Sequence, residues 1–311
     1  MRVERYSSDK KFAWNDFLTN CKNRHFFFYR DFMEYHKDRF DDFSIMIYDK
    51  KDKLIALLPA NYHDKTLYSH QGLTFGGFLV IDKMKLETMQ EVIKAVKEFL
   101  LKEGFEKVIY KALPFVHQLK PFSEDIYLLR KDGAKVIREE LSEVIDLKQS
   151  IKYSNGRKHS IRKAKEFGFS IEKSDDFKSF WDILESVLTS QHDSKPLHTL
   201  KEIEFLASHF PKNIELFLVK KDEKLYAGAV TFVNENIVKL QYVANYEEGR
   251  KLGALDLLID KLIKEIYKDK RYFDFGTSLK SDGSINFGLI DQKERFGASG
   301  VLNDTYEWKL S

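Results

Sequence analysis

The sequence has 311 residues, 43% of them hydrophobic and 32% charged, a composition typical of a globular protein with about two domains. Its 26 phenylalanines and 15 tyrosines argue against a disordered chain, because disordered segments are poor in aromatic residues. The net charge of +3 is too small to indicate a nucleic-acid-binding protein by itself. No apolar run reaches the ~18 residues of a transmembrane helix, and the first residues lack an apolar signal core, so we expect neither a membrane span nor a secretory signal.

The chain has one cysteine, Cys21, which excludes an intramolecular disulfide and a thiolate zinc site. A single thiol is typical of a reducing compartment, so we expect the protein in the cytoplasm. His192 and His198 lie on either side of Pro196, but their spacing matches no common metal-binding motif. We therefore expect no metal cofactor.

The first half of the chain reads as strands, a helix and a strand. It predicts a β-hairpin at 43–48 and 54–58, further strand segments at 67–68 and 75–80, one long helix at 83–102 and a closing strand at 107–113. The helix is predicted because its apolar residues recur at three- and four-residue spacing and Gly104 suits a C-terminal cap.

The second half repeats this order. It predicts a helix at 177–188 and a three-stranded meander at 214–220, 225–233 and 236–244. A helix at 251–267, a strand at 272–275, a helix at 286–296 and a closing strand at 303–310 follow. The two halves thus predict a mixed α/β protein of two similarly built domains. We place them at residues 1–145 and 146–311.

Polar residues gather where the strand at 272–275 ends. Asp274 lies between Phe273 and Phe275, so strand alternation places its side chain on the opposite face from both. If the phenylalanines face the core, Asp274 faces a cleft or solvent. Gly276 lets the chain turn, and Ser278 follows it. Polar groups at a strand end, next to a helix N-terminus, often form ligand sites in α/β proteins. The alternative is that Asp274 and Ser278 only cap turns.

Two segments carry a family resemblance. YFDFGTS at 272–278 and INFGLIDQKERFGA at 285–298 resemble the C-terminal signature of FemAB-like acyltransferases of the GNAT superfamily. The resemblance implies two tandem GNAT-like domains, each a mixed sheet flanked by helices, with acyl transfer in the second. It places Lys293 at the acceptor and acyl-transfer site. Ser278 and Asn286 are further candidates for substrate contact.

The resemblance also suggests a coenzyme A site in the segment EEGRKLGAL, residues 247–255. GNAT enzymes bind the pyrophosphate on backbone amides at this position, where a helix N-terminus suits an anion. Arg250 and Gly253 match the family pattern at its first and fourth positions, whereas its sixth position is Leu255 and not glycine or alanine. The predicted cofactor-binding residues are therefore Arg250, Lys251, Leu252, Gly253 and Ala254. The alternative is a charged turn before an ordinary amphipathic helix.

Positive charge concentrates in residues 148–166, which contain seven lysines and arginines against one glutamate. Such a segment can hold the phosphates of a nucleotide-linked substrate, of coenzyme A or of RNA. Arg157 and Arg162 are its candidate substrate-binding residues, and a solvated helix face is the alternative. His198 is a further substrate candidate, because related sequences carry a similar Pro-x-His element. Its alternative role is as a neighbour of Thr199, which caps the next helix.

These observations favour an N-acyltransferase. The acyl donor is expected to be acyl-CoA, and the acceptor a primary amine of a nucleotide-linked amino sugar for surface glycans. Asp274 is the candidate base or orienting group, Lys293 the candidate anion holder, and Tyr242 a candidate acid for the leaving thiolate. One alternative is a transferase that takes its amino acid from aminoacyl-tRNA. The other is a non-catalytic binding module with a GNAT fold.

Overall fold

A computed structural model describes residues 1–192, 195–280 and 282–311. The chain divides into two compact units, residues 1–140 with 302–311 and residues 141–301. The predicted boundary at 145 lies close to this division. The C-terminal strand, which we assigned to the second domain, instead belongs to the first unit. The physical reason is a long-range antiparallel pairing of residues 305–309 with residues 107–111.

The first unit contains most of the strands that the sequence predicted, together with shorter ones. Its elements in chain order are β1 Arg2–Arg5, α1 Lys11–Thr19, α2 Arg30–Met33, β2 Asp41–Asp42, β3 Ile45–Tyr48, β4 Leu54–Leu58, β5 Asn61–His63, β6 Thr66–Tyr68, β7 Leu79–Val80, α3 Leu86–Lys102, β8 Lys107–Lys111, α4 Glu124–Lys131 and the start of β9 Lys135–Asp146. The predicted hairpin is confirmed, because β3 pairs with β4 in antiparallel register.

Two sheets build the first unit. One has the order β1-β3-β4-β7, and the other contains β2, β5, β6 and β8 with the C-terminal strand β15 Ser299–Lys309. Helix α3 packs one apolar stripe into the core through Met89, Val96 and Leu100. In β8 the side chains alternate, so that Val108 and Tyr110 are buried.

The second unit consists of a sheet with helices. Its elements are the end of β9, α5 Asn155–Phe167, β10 Ser170–Ser174, α6 Phe177–His192, α7 Leu200–His209, β11 Ile214–Lys221, β12 Lys224–Val233, β13 Ile237–Asn245, α8 Glu247–Leu252, α9 Ala254–Lys261, β14 Tyr272–Thr277, α10 Phe287–Glu294 and the first residues of β15. The sheet has the order β10-β11-β12-β13-β14-β9. The predicted meander is confirmed, since β11, β12 and β13 pair antiparallel in sequence.

The prediction of one helix over residues 251–267 is wrong. The structure has two helices there, α8 and α9, which are separated at Gly253, and the φ of Gly253, 76°, is left-handed. The break lets the backbone approach α5 closely, because a Cβ at Gly253 would lie 2.5 Å from Ser160 Oγ. After α9 the chain makes a five-residue π-helix, Leu262–Ile266. Within the described residues, none of the helices is long and apolar enough to cross a membrane.

A buried carboxyl in the first unit gives a pH prediction. Tyr110 donates a hydrogen bond to Asp125 on α4, and burial raises the pKa of Asp125 to about 6. Because the folded state then holds this proton more tightly than the unfolded chain, the free energy of unfolding falls as pH rises from about 4 to about 6, by ~2–3 kcal/mol.

We expect Asp125→Asn to remove this part of the pH dependence. The check is urea denaturation of both proteins across that pH range. Parallel stability curves for the two proteins would contradict the assignment.

Candidate active site

The site begins where two parallel strands separate. β13 and β14 pair over only three residue pairs, from Ile237 with Tyr272 to Lys239 with Asp274. β13 continues for six residues beyond this pairing, and no strand in the described parts of the chain pairs with that edge of it. A strand edge without a neighbouring strand can hydrogen-bond an extended ligand through its backbone.

A β-bulge lies on the same part of β13. Val230 faces Tyr242 and Thr231 faces Leu240, so Gln241 has no counterpart on β12. The extra residue reverses the alternation: Leu240 belongs to the core packed against α9, whereas the Tyr242 ring lies 5.2 Å from that of Trp181 on α6. The sequence did not predict the bulge.

Asp274 lies opposite the core, as its position between two phenylalanines predicted. Phe273 and Phe275 both belong to the core cluster of the second unit. Asp274 itself is only 2% exposed, so it does not face open solvent. Its Oδ1 accepts a hydrogen bond of 2.7 Å from the Gly276 N–H, which holds the turn at the end of β14.

Lys293 and Ser278 contact each other next to this turn. The Nζ of Lys293, on α10, donates hydrogen bonds to the carbonyl oxygens of Gly276 and Thr277, at 2.7 and 2.9 Å, and to Ser278 Oγ at 2.7 Å. A fourth contact, of 3.1 Å, joins it to Oε2 of Glu143 on β9. Ser278 Oγ donates to the same oxygen at 2.7 Å. We call Glu143, Ser278 and Lys293 the buried triad.

The triad is an ion pair removed from water. The side chains of Lys293 and Glu143 are 8% and 2% exposed. Burial lowers the pKa of Lys293, and the charges of Glu143 and Asp274 oppose that shift. Since the ammonium already has four acceptors for three N–H donors, it cannot hold a substrate anion without giving one up. The contacts therefore fit a positioning role for Lys293 better than the predicted anion-holding role.

Glu143 was missed by the sequence reasoning. The only signal was a carboxylate at a buried position of the apolar strand segment 142–146. Its partners lie 135 and 150 residues away, so local patterns could not identify them.

Tyr242 and His198 lie together. His198 Nδ1 is 2.6 Å from the Tyr242 hydroxyl, and the His198 backbone N–H donates to the same oxygen at 3.2 Å. Both side chains are buried. Thr199 caps α7 in a capping box with Glu202, so the predicted helix start at this position is confirmed.

Two predicted substrate residues make contacts within the second unit. Arg157 forms an ion pair with Asp256, donates to the Gln292 carbonyl oxygen at 3.0 Å, and lies 4.1 Å from the centre of the Phe296 ring. It thereby links α5 to α9 and α10. Asn286 caps α10, its side chain accepting from Leu289 N–H at 3.1 Å.

The predicted pyrophosphate site does not have an open helix N-terminus at Gly253. Arg250, Lys251 and Leu252 lie inside α8, and Ala254, the first residue of α9, is fully buried. Gly253 packs against Ser160 of α5. The first turn of α8 instead carries the carboxylates of Glu247 and Glu248, which disfavour an anion there.

Exposed cations gather instead on α5 and α8. We call this surface the basic face; it comprises Lys158, Arg162, Lys163, Lys165, Arg250 and Lys251. The two helices contact each other, because Lys163 Nζ donates to the Lys251 carbonyl oxygen at 3.0 Å. Arg162 lies near His159 and Glu166 and extends into solvent.

The described cavities do not coincide with the triad. One of about 280 Å³ lies beside α7 and β11, and one of about 650 Å³ lies in the first unit. Within the described residues, no group of three or more His, Cys, Asp or Glu side chains is arranged to hold a metal ion.

Comparison with known proteins supports the fold. Residues 152–284 match the family model for an acetyltransferase (GNAT) domain. The structure of FemX aligns with a TM-score of 0.72 at 13% identity, over 99% of this chain and 97% of that one. No curated protein sequence matches this one.

Two further solved structures are similar. L-PGS from Bacillus licheniformis has a TM-score of 0.63 at 13% identity, covering 99% of this chain and 93% of that one. A tandem GNAT protein from the clavulanic acid biosynthesis pathway has a TM-score of 0.53 at 10% identity, covering 100% and 99%. These structures confirm the predicted fold of two tandem GNAT-like domains, and the family model matches a GNAT domain in the second half of the chain.

The buried ion pair gives a stability prediction. Lys293→Met leaves the Glu143 carboxylate buried without its counter-charge, so we expect a loss of ~3–5 kcal/mol in the free energy of unfolding. Adding Glu143→Gln to that variant removes the unpaired charge and restores part of the loss. Urea denaturation of the single and double variants measures both effects. A double variant less stable than Lys293→Met alone would contradict the pairing.

Proposed function

We propose that the protein transfers an acyl group from acyl-CoA to a primary amine. The observation that carries the proposal is the separation of β13 from β14 after three residue pairs, with the bulge at Gln241 on the open edge. An extended donor arm containing amides matches such an edge, because it can hydrogen-bond to the backbone as an added strand would.

The bulge supports a catalytic role for this edge. A bulged residue leaves its backbone groups out of the ladder, so the Gln241 N–H is a candidate donor to the oxyanion of the tetrahedral intermediate. Holding the thioester and the amine in contact supplies much of the remaining rate enhancement. The amine nitrogen then attacks the carbonyl carbon, and the carbon–sulfur bond breaks.

The predicted residues take the following roles in this proposal. Asp274, buried beside the turn at Gly276, orients the acceptor amine. Tyr242, hydrogen-bonded to His198, is the candidate acid for the leaving thiolate. Lys293 positions the end of β14 and Ser278 rather than holding a substrate anion.

The basic face supports a phosphate-bearing ligand. Its cations provide sites for the phosphates of coenzyme A or of a nucleotide-linked amino sugar, while the carboxylates of Glu247 and Glu248 make the α8 N-terminus a poor one. We therefore propose that side chains such as Arg162 and Arg250 bind the phosphates of the acyl donor, and that the backbone amides at the N-terminus of α8 do not.

The same observation favours a second candidate donor, aminoacyl-tRNA. A face of six exposed cations without an open pyrophosphate loop suits a polyanion at least as well as coenzyme A. In that case the carbon–oxygen bond of the aminoacyl ester breaks, and the acceptor is a cell-wall precursor amine.

Calorimetric titration of RNA-free protein with acetyl-CoA tests the first candidate. We expect saturable binding that Arg162→Ala weakens about five- to tenfold, since a charge-assisted contact contributes ~1 kcal/mol at an exposed site. Lys178→Ala is the matched control, because Lys178 is an equally exposed cation on α6, outside the basic face. Thiol release with a nucleotide-linked amino sugar then tests transfer.

The outcomes separate the candidates. Binding of acetyl-CoA followed by thiol release supports the acyl-CoA reaction. Turnover only with charged tRNA, abolished by ribonuclease, supports the second candidate and overturns the first. Binding without turnover under either condition indicates a non-catalytic module.

A further inference from the structure

In the buried triad, the Glu143 carboxylate accepts fewer hydrogen bonds than it can. An ammonium has three N–H donors, and the three shortest contacts of Lys293 Nζ go to Gly276 O, Thr277 O and Ser278 Oγ. The contact with Glu143 is the longest of the four, at 3.1 Å. Lys293 can therefore satisfy all its donors without the carboxylate.

Glu143 has few hydrogen bonds for a buried carboxylate. Oε2 accepts one from Ser278 Oγ at 2.7 Å and shares the long contact with Lys293. Oε1 is buried and has no hydrogen-bond partner among the described residues. A carboxylate can accept about four hydrogen bonds, so this one is far from saturated. A proton that arrives at Glu143 leaves the three shortest contacts of Lys293 in place.

Ser278 connects this carboxylate to the strand end. Its hydroxyl donates to Glu143 Oε2 and accepts from Lys293, which uses one of two acceptor positions on Oγ. The second acceptor position can take the N–H of an amine placed at the end of β14. Ser278 thus has the donor and acceptor geometry of a proton relay.

We infer that Ser278 and Glu143 form a proton relay for the acyl-transfer reaction, an inference that rests on the proposed function. As the amine nitrogen bonds to the acyl carbon, its proton passes to Ser278 Oγ, and the Ser278 hydroxyl proton passes to Glu143 Oε2. The carbon–sulfur bond breaks and the leaving thiolate takes a proton from Tyr242; Glu143 then gives its proton to water and Tyr242 takes one from water, which restores both groups. The products are an amide and a free thiol, and the relay is restored.

Two groups of the buried triad contact the Glu143 carboxylate. The groups that contact it are the Lys293 ammonium from α10 and the Ser278 hydroxyl after β14. The ammonium at 3.1 Å stabilises the carboxylate as the starting form that accepts the proton.

Kinetics of variants test the relay. We expect Glu143→Gln and Ser278→Ala each to lower kcat by ~10²–10³-fold, with the KM for the donor little changed. The double variant should lose no more than either single variant, because both interrupt one path. Ser278→Thr, which keeps the hydroxyl, should restore most of the activity. Glu172→Gln, an exposed glutamate paired with Lys220, is the matched control and should be unaffected.

The pH profile distinguishes the relay from a purely structural role. We expect the acidic limb of the kcat profile to disappear in Glu143→Gln, because the group that must be unprotonated is then absent. Additive losses in the double variant, or an unchanged acidic limb, would overturn the relay even if the protein is an acyltransferase.

A substrate-free measurement keeps the inference testable if no turnover is found. Infrared difference spectra of the native protein against Glu143→Gln, recorded as the pH is lowered within the folded range, isolate the carbonyl stretch of a protonated Glu143. Asp125 contributes equally to both proteins and cancels. We expect a Glu143-dependent band that shifts in Ser278→Ala. If Glu143 acquires no proton at any pH at which the protein stays folded, it is not a proton acceptor and the relay is overturned, whatever the proposed function.

Discussion

The site in the second unit depends on the burial of one ammonium group. Lys293 is removed from water at a cost of several kcal/mol, which the Glu143 carboxylate, the Ser278 hydroxyl and the carbonyls at the end of β14 offset. Because those partners come from β9 and β14, one side chain fixes two strands and α10 together. Lys293 also contacts the carbonyl of Gly276, whose φ is left-handed, and the hydroxyl of Ser278.

The opening in the sheet has a different physical origin. Parallel pairing of β13 with β14 stops after Lys239, and the bulge at Gln241 increases the local bend and twist of β13. The sheet therefore stays continuous at one end of the two strands and opens at the other. The buried triad lies at the end of β14, the strand that separates from β13 after Asp274.

The sequence predicted the elements that depend on local patterns. The meander β11–β13, the α3 stripe and the cap at Thr199 all follow from spacing or from residue type over a few positions. Ser278 and Lys293, two candidates from the family signature, contact each other at 2.7 Å. What the sequence could not predict depends on distant partners: the pairing of Lys293 with Glu143, the role of Arg157 in linking helices, and the return of β15 to the first unit. Each requires knowing which elements become neighbours.

The most direct test of the account is amide hydrogen exchange of the native protein with saturating coenzyme A. An extended arm that hydrogen-bonds along the open edge of β13 slows the exchange of amides in residues 240–245, including the bulged Gln241. The account predicts this protection, together with little change in the core of the first unit. Saturable binding that protects other segments and leaves residues 240–245 unchanged would contradict the central claim that this strand edge holds the acyl donor.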